Sequence, residues 1–268
     1  MKNIIKTSIS LLVLLLVLTG CSSDKKNTVI KVGASITPHA EILEVIKPLV
    51  EAKGFTLEII PFTDYVLPNT NLNEGEIDAN YFQHVPYLTD FNAENGTKIV
   101  SVLAVHFEPL GLYPGKTESV ELLKDGAIIA VPNDATNEAR ALNLLQDLGL
   151  ISLDPSKKET ATKLDIISNP KNLDIVELEA AQLARSLADV DLAVINGNYA
   201  LEAGITDSVI TTEDKGSDAA LKYANILAVK EGNETSEKTL ILIEALRSKE
   251  VKQFIQDNYY PVVISVTE

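Results

Sequence analysis

Tryptophan is absent from this 268-residue chain, cysteine and methionine occur once each, and aromatic residues make up only 5%. A single cysteine excludes an intrachain disulfide and any zinc site built from clustered cysteines. The three histidines, His39, His84 and His106, form no i, i+4 pair and no His-rich loop, so the usual spacing of metal ligands is missing. Basic residues are scarce: 23 Lys and Arg against 38 Asp and Glu leave a net charge of −15. That deficit excludes a nucleic-acid partner, whose phosphates need a basic face, and attachment to a membrane by charge alone. No G-x-G-x-x-G, Walker loop, H-E-x-x-H or G-x-S-x-G is present. An enzymatic role therefore has no motif behind it, and neither a cofactor nor a resident metal is expected.

What is there begins with an address. Lys2 and Lys6 precede an apolar run from Ile9 to Leu18, followed by small residues. This is the order of a secretory signal, and the run is too short to span a bilayer as a mature helix. Leu18-Thr19-Gly20-Cys21 is similar to a bacterial lipobox, in which the cysteine is acylated, for instance with palmitate, and becomes the new N-terminus. Residues 1–20 then read as a lipoprotein signal peptide and residues 21–28 as a polar tether. Losing residues 1–20 removes two lysines and no acid from −15, leaving −17. The expected place is the extracytoplasmic side of the cell membrane, held by lipid.

The remainder is 46% hydrophobic by the whole-chain figure, enough for a sizeable core in one or two domains. Val29 to Ala34 reads as a strand, and Thr37-Pro38 as the cap and first position of a helix. Ile42, Val45, Ile46, Leu49 and Val50 form one helical face, Gly54 a stop, and Thr56 to Phe62 the next strand. This β-α-β start predicts parallel pairing. Further strands are expected at Ile99–Val105, Ala127–Val131, Leu173–Leu178, Leu192–Ile195 and Ile226–Val229. A helix after Asp134 turns Ala141, Leu142, Leu144, Leu145 and Leu148 inward, and Glu237–Gln256 reads as one closing helix. The alternation predicts an α/β protein. Two turn-rich stretches, Tyr113–Lys116 and Asp214–Ser217, are the expected crossovers between an outer pair of segments and a middle one.

Three tracts carry candidate chemistry. DANYFQHVPYL (78–88) gathers aromatics and a histidine, either a pocket for an apolar or thioether side chain or ordinary core. PNDATNEARAL (132–142) starts a helix at a polar cap, with Arg140 placed to grip a carboxylate or to pair with an acid such as Glu138. AVINGNYA (193–200) ends a strand at Asn196, where it can bond a ligand or cap a turn. His39, at a helix start, reads as a capping or surface residue.

Together with DYVLPN (64–69), VHFEPLGLY (105–113), ISNPKNLDIVELEAAQLARSL (167–187) and YANILAV (223–229), these tracts resemble the methionine-binding lipoproteins of ATP-driven import systems, the NlpA or MetQ-like family. The likeness covers residues 29–268. It implies a two-lobed, type II periplasmic-binding-protein-like fold with the ligand cleft between lobes: residues 29–112 with 222–268 in the first, 113–221 in the second. It implies that Arg140 clamps the ligand carboxylate, with Asn137 in support. Asn196 and Asn225 would bond the ammonium and carboxylate. Tyr65, Phe82, His84, Tyr87 and His106 would surround the side chain. The implied partners are methionine or D-methionine, an ABC permease with its ATPase subunits, and the membrane through the lipid anchor, the protein itself acting as a monomer. Where a D-P-T-N-x-G-R form is common, this chain has Asp134-Ala135-Thr136-Asn137-Glu138-Ala139-Arg140, and Gly197-Asn198 follow Asn196 in place of two threonines. A methionine-containing dipeptide such as Gly-Met is the alternative ligand on the same scaffold. A metal-capturing surface lipoprotein using His84, His106 and carboxylates is the reading from a different class.

Overall fold

The computed structural model describes residues 28–213 and 216–267, without the side chains of 217–219. The signal peptide, Cys21 and all but the last residue of the tether lie outside the described residues.

The chain opens with β1 (Val29–Ser35), a wide turn, α1 (Glu41–Glu51) and β2 (Thr56–Phe62), with β1 and β2 parallel as expected in register from Val29↔Thr56 to Ser35↔Phe62, but the α-helix starts at Glu41 and not at the expected Thr37-Pro38. Thr37 has an extended backbone, φ −125° and ψ 133°, and its hydroxyl donates to Glu41 at 2.7 Å instead of capping a main-chain N–H. Ile42, Ile46 and Val50 are fully buried and Val45 and Leu49 pack against them, so the apolar stripe of α1 seals one face of the sheet. Next come α2 (Leu67–Glu74), β3 (Ala79–His84), α3 (Val85–Asn95) and β4 (Ile99–Phe107).

At Phe107 the chain leaves this sheet, and by β5 (Gly111–Pro114) it has joined another. The second sheet adds β6 (Ile128–Pro132), β9 (Asp174–Leu178), β10 (Leu192–Ile195) and β11 (Thr211–Thr212), with a separate pair formed by β7 (Ser152–Leu153) and β8 (Ile166–Ser168). Its helices are α4 (Ala135–Asp147), α5 (Leu183–Ser186) and α6 (Gly197–Glu202). After α7 (Ser217–Lys222) the chain returns to the first sheet as β12 (Ala224–Lys230), then α8 (Glu237–Leu246), α9 (Lys249–Asn258) and β13 (Ile264–Ser265). The sheet orders are β13-β4-β12-β3-β1-β2 and β11-β5-β10-β6-β9. Each sheet has its own core, one around Ile30, Ile46, Tyr81 and Leu227, the other around Ile129, Leu142, Leu145 and Val194. The molecule is two-lobed, as expected.

Two expectations are corrected. Tyr113 and Pro114 do not cross between sheets: they pair with Ala193 and Leu192 inside the second one. The turn signal had another cause, because a Cβ on Gly115 would lie 2.4 Å from the Val190 carbonyl oxygen and 2.6 Å from that of Leu187. The second expected crossover, Asp214–Ser217, lies partly outside the described residues. The closing helix is two helices, not one. Ser248, with φ −63° and ψ 158°, breaks the run and accepts from the Val251 N–H at 3.3 Å. The break re-aims the chain so that Leu242 and Leu246 before it, and Val251 and Ile255 after it, all reach the same core. Ser248→Ala removes this cap, and urea denaturation is expected to show a loss of about 1 kcal/mol; unchanged or increased stability would mean the two helices can fuse at no cost.

Candidate functional site

The ends of three strands meet between the lobes. β3 ends at His84, β4 runs to Phe107, and β12 lies between them, so that Asn225 is paired with both His84 and His106. From the other lobe come the first two turns of α4, with Asn137 and Arg140, and the end of β10, with Asn196 at the N-cap position of α6 but making no cap bond with its side chain. The carboxyl ends of β3, β4 and β10, the amino end of the antiparallel β12 and the amino ends of two helices thus converge on one space, much as ligand sites form in open α/β sheets. A narrow cavity of about 20 Å³ occupies it, room for little more than a water molecule.

Eight of the nine residues expected at the site line this cavity. Tyr65, Phe82, His84, Tyr87 and Asn225 come from the first lobe, and Asn137, Arg140 and Asn196 from the second. The Tyr65 ring lies 5.8 Å from Phe82 and 5.9 Å from Tyr87 between centroids, which makes an aromatic wall. His106 is the exception. It is completely buried behind the wall, where the Tyr81 hydroxyl bonds its Nδ1 and its Nε2 donates to Glu108 at 2.6 Å. Its place in the wall is taken by Glu108 itself.

His39 is neither exposed nor a cap. It is fully buried, its ring 4.7 Å from Tyr81 and 4.8 Å from His106, and its Nε2 lies 2.9 Å from Asn225 Oδ1. The wide turn before α1 points it inward, which a helix-start reading could not anticipate. His39, His106 and Glu108 hold their donor atoms within 4.8 Å of one another. His84, expected in any metal group, is not among them. Hydrogen bonds to Tyr81, Glu108 and Asn225 already occupy the facing atoms of the two imidazoles.

Arg140 is 5% exposed and does not pair with Glu138. Its Nη1 donates to Asn137 Oδ1 at 3.0 Å, its Nη2 to the Glu108 carbonyl at 3.4 Å, and Nε and Nη2 together engage the Glu213 carboxylate. The Tyr223 ring lies 4.2 Å from the guanidinium carbon. Glu138 turns away and accepts from the Lys163 N–H at 2.9 Å.

Hydrogen bonds tie the lobes together across the cavity. His84 Nε2 reaches Asn137 Oδ1 at 3.2 Å, Tyr65 donates to Asn198 Oδ1 at 2.5 Å, and Tyr199 donates to the Thr63 carbonyl at 3.3 Å. His84 also caps α3, its Nδ1 accepting from the Tyr87 N–H at 3.1 Å, which assigns the ring proton to Nε2. Burial first, and the Arg140 charge second, depress the His84 pKa to about 3, so the ring is neutral. Among the described residues, the buried Asn196 Oδ1 and Asn198 Nδ2 have no hydrogen-bond partner.

Glu108, Gln83, Gly197 and Asn198 also line the cavity and were not expected there. Glu108 had a signal, as a lone acid within the apolar tract VHFEPLGLY. Gly197 and Asn198 stood within a quoted tract but were read only as departures from a pattern. Tyr223 opened the quoted tract YANILAV but was not singled out, and Glu213 had no local signal, since it meets Arg140 from far along the chain.

Comparison with known proteins follows from this geometry. The NlpA lipoprotein family model matches residues 30–266. The chain belongs to the NlpA lipoprotein family. The D-methionine-binding lipoprotein MetQ of Salmonella typhi is 44% identical over 242 residues, 88% of each chain. The methionine-binding lipoprotein MetQ of Bacillus subtilis is 41% identical over 257 residues, 93% of this chain and 91% of its own. The structure of a nutrient binding protein from Burkholderia cenocepacia bound to methionine superposes with a TM-score of 0.83 at 42% identity, covering 88% of this chain and 99% of that one. Among the described residues of this NlpA family member, no helix is long and apolar enough to cross a membrane.

The neutral histidine has a measurable signature. The unfolded chain binds a proton at His84 near pH 6.5, whereas the folded site holds off until about 3. Stability is therefore lost as pH falls below 6.5, by up to about 1.4 kcal/mol per pH unit from this one group. His84→Asn keeps a good helix cap and removes the titration. Urea denaturation between pH 6 and 4 is expected to give a shallower slope for the variant by about that amount, and equal slopes would place a proton on His84 in the folded state.

Proposed function

We propose that this protein captures methionine outside the cytoplasmic membrane and passes it to an ABC permease, whose ATPase subunits supply the energy. The observation that carries this reading is a cavity between two lobes with a buried arginine on one side and an aromatic wall on the other, in a chain of the NlpA lipoprotein family. The protein's part is binding rather than catalysis.

The roles follow from what each side chain has left to give. A guanidinium has five N–H groups, and among the described residues those of Arg140 find four acceptor contacts, leaving one N–H on Nη1. That N–H and the unpartnered Asn198 Nδ2 serve as donors to the ligand carboxylate. Asn137 fixes the guanidinium from the side. Asn196 and Asn225 offer oxygen to the ligand's amine. Phe82, Tyr65, Tyr87 and the neutral face of His84 pack on the thioether, where each sulfur–ring contact contributes about 0.3–1.5 kcal/mol. His106 acts from behind.

We assign the first lobe to residues 29–107 with 224–267 and the second to 111–212. These bounds lie a few residues from those expected, because β5 joins the second sheet at Gly111. The bonds from His84 to Asn137 and from Tyr65 to Asn198 exist only while the lobes are together, so they count toward the closed, loaded form. Cys21 is the anchor point, which leaves the acidic surface free of any membrane role.

Mass spectrometry of ligand released from purified protein tests the reading directly: methionine is expected, and a methionyl dipeptide would reassign the ligand within the same site. Arg140→Ala is expected to weaken methionine binding by about 100-fold or more in calorimetry, since a buried carboxylate would lose its partner; unchanged affinity would remove Arg140 from the role. Cys21→Ala is expected to move the protein from the membrane fraction to the soluble extracytoplasmic fraction, and retention in the membrane would overturn lipid anchoring.

A further inference from the structure

Charge around the cavity does not balance. Of the side chains that line it, Arg140 is the one permanent cation and Glu108 the one carboxyl, whose pKa burial pushes above the usual carboxylate range. Arg140 is already matched by the Glu213 carboxylate on its outer side. Glu108 has no such match. Its side chain is 5% exposed, and the groups that hold it are neutral or nearly so: His106 Nε2 at 2.6 Å, His39 Nε2 at 3.7 Å, and the main-chain N–H of Asn198. Burial keeps both histidines uncharged, pushing His106 down to about 3 and His39 to about 4. A buried carboxylate that meets only neutral donors is costly, and it is relieved most by a cation.

We propose that Glu108 is the counter-ion for the α-ammonium of the ligand, so that the site takes only ligands whose amine is unblocked. This rests on the amino-acid reading above and adds a residue and a selection rule to it. The surroundings suit the role. Asn196 Oδ1 is buried without a partner, and Asn225 Oδ1 is tied through His39 to the same corner. Three oxygens therefore gather where an ammonium has three N–H groups to give. The Tyr81–His106 pair fixes the Glu108 carboxylate from behind. Gly197 makes room for it in front, because a Cβ there would lie 2.8 Å from Glu108 Cβ and 3.0 Å from Oε2. An N-acylated amine is neutral, keeps a single N–H and adds bulk on the side where Glu108 and Asn196 close the wall.

The test is calorimetry on the mature protein with L-methionine, its methyl ester and N-acetyl-L-methionine, followed by the same series on Glu108→Gln. The wild type is expected to bind N-acetylmethionine at least 100-fold more weakly than methionine, a comparison that needs no variant to fold. Glu108→Gln is expected to weaken methionine and the methyl ester by 10- to 100-fold and to shrink the preference over the N-acetyl form at least 10-fold. A wild type that binds the N-acetyl form within 10-fold of methionine overturns the proposal, and so does a preference unchanged in a folded Glu108→Gln protein. Either result leaves methionine capture standing. A wild type that binds none of the three probes overturns both readings together.

Discussion

Burying a guanidinium between two lobes costs several kcal/mol unless its N–H groups find acceptors, and the arrangement around Arg140 follows from meeting that demand. Asn137, three residues earlier on the same helix face, supplies one oxygen, and the carbonyl of Glu108 supplies another from the strand that leaves the first sheet. Glu213 closes the outer side, and Tyr223 covers a face of the guanidinium. These contacts bring both ends of the passage between sheets to one atom group. The charge is held by four contacts, and among the described residues one N–H on Nη1 is left without an acceptor. Preorganisation of this kind raises affinity by reducing what must be ordered on binding.

The histidines answer the opposite demand. Burial disfavours the charged form of an imidazole, and it keeps His39, His84 and His106 neutral with depressed pKa values. As neutral rings they become directional hydrogen-bonding groups. His84 caps a helix with one nitrogen and reaches the other lobe with its second. His106 passes the Tyr81 hydroxyl contact through to Glu108. His39 and His106 hold Asn225 and Glu108, which line the cavity, and His84 lines it directly.

Much of the fold was legible because periodicity records which face of a segment is apolar. The stripe Ile42, Val45, Ile46, Leu49, Val50 and the inward set Ala141, Leu142, Leu144, Leu145 read correctly because their apolar side chains face a sheet core, although the second helix also buries its polar residues Asn137, Glu138 and Arg140. The break at Ser248 was missed because Arg247-Ser248-Lys249 interrupts an apolar pattern no more than a polar helix face would. The Tyr113–Lys116 turn was misplaced because a glycine needed for close backbone approach carries the same signal as one in a linker. At the site, Arg140 and Asn196 were legible as polar residues at the start of helices. Glu213 was not, since nothing local marks an acid that pairs with a residue 73 positions earlier.

By itself the sequence determined the strand–helix alternation and the residue types placed at strand ends, because these are properties of single segments. Tertiary structure decided which of them face one another. The return of β12 between β3 and β4 sets Asn225 beside His84 and His106, the turn before α1 drives His39 inward, and the second lobe carries Asn137 and Arg140 to meet them. Ladder register and lobe contact are relations between distant segments, and the pattern along any one of them carries no record of its partner.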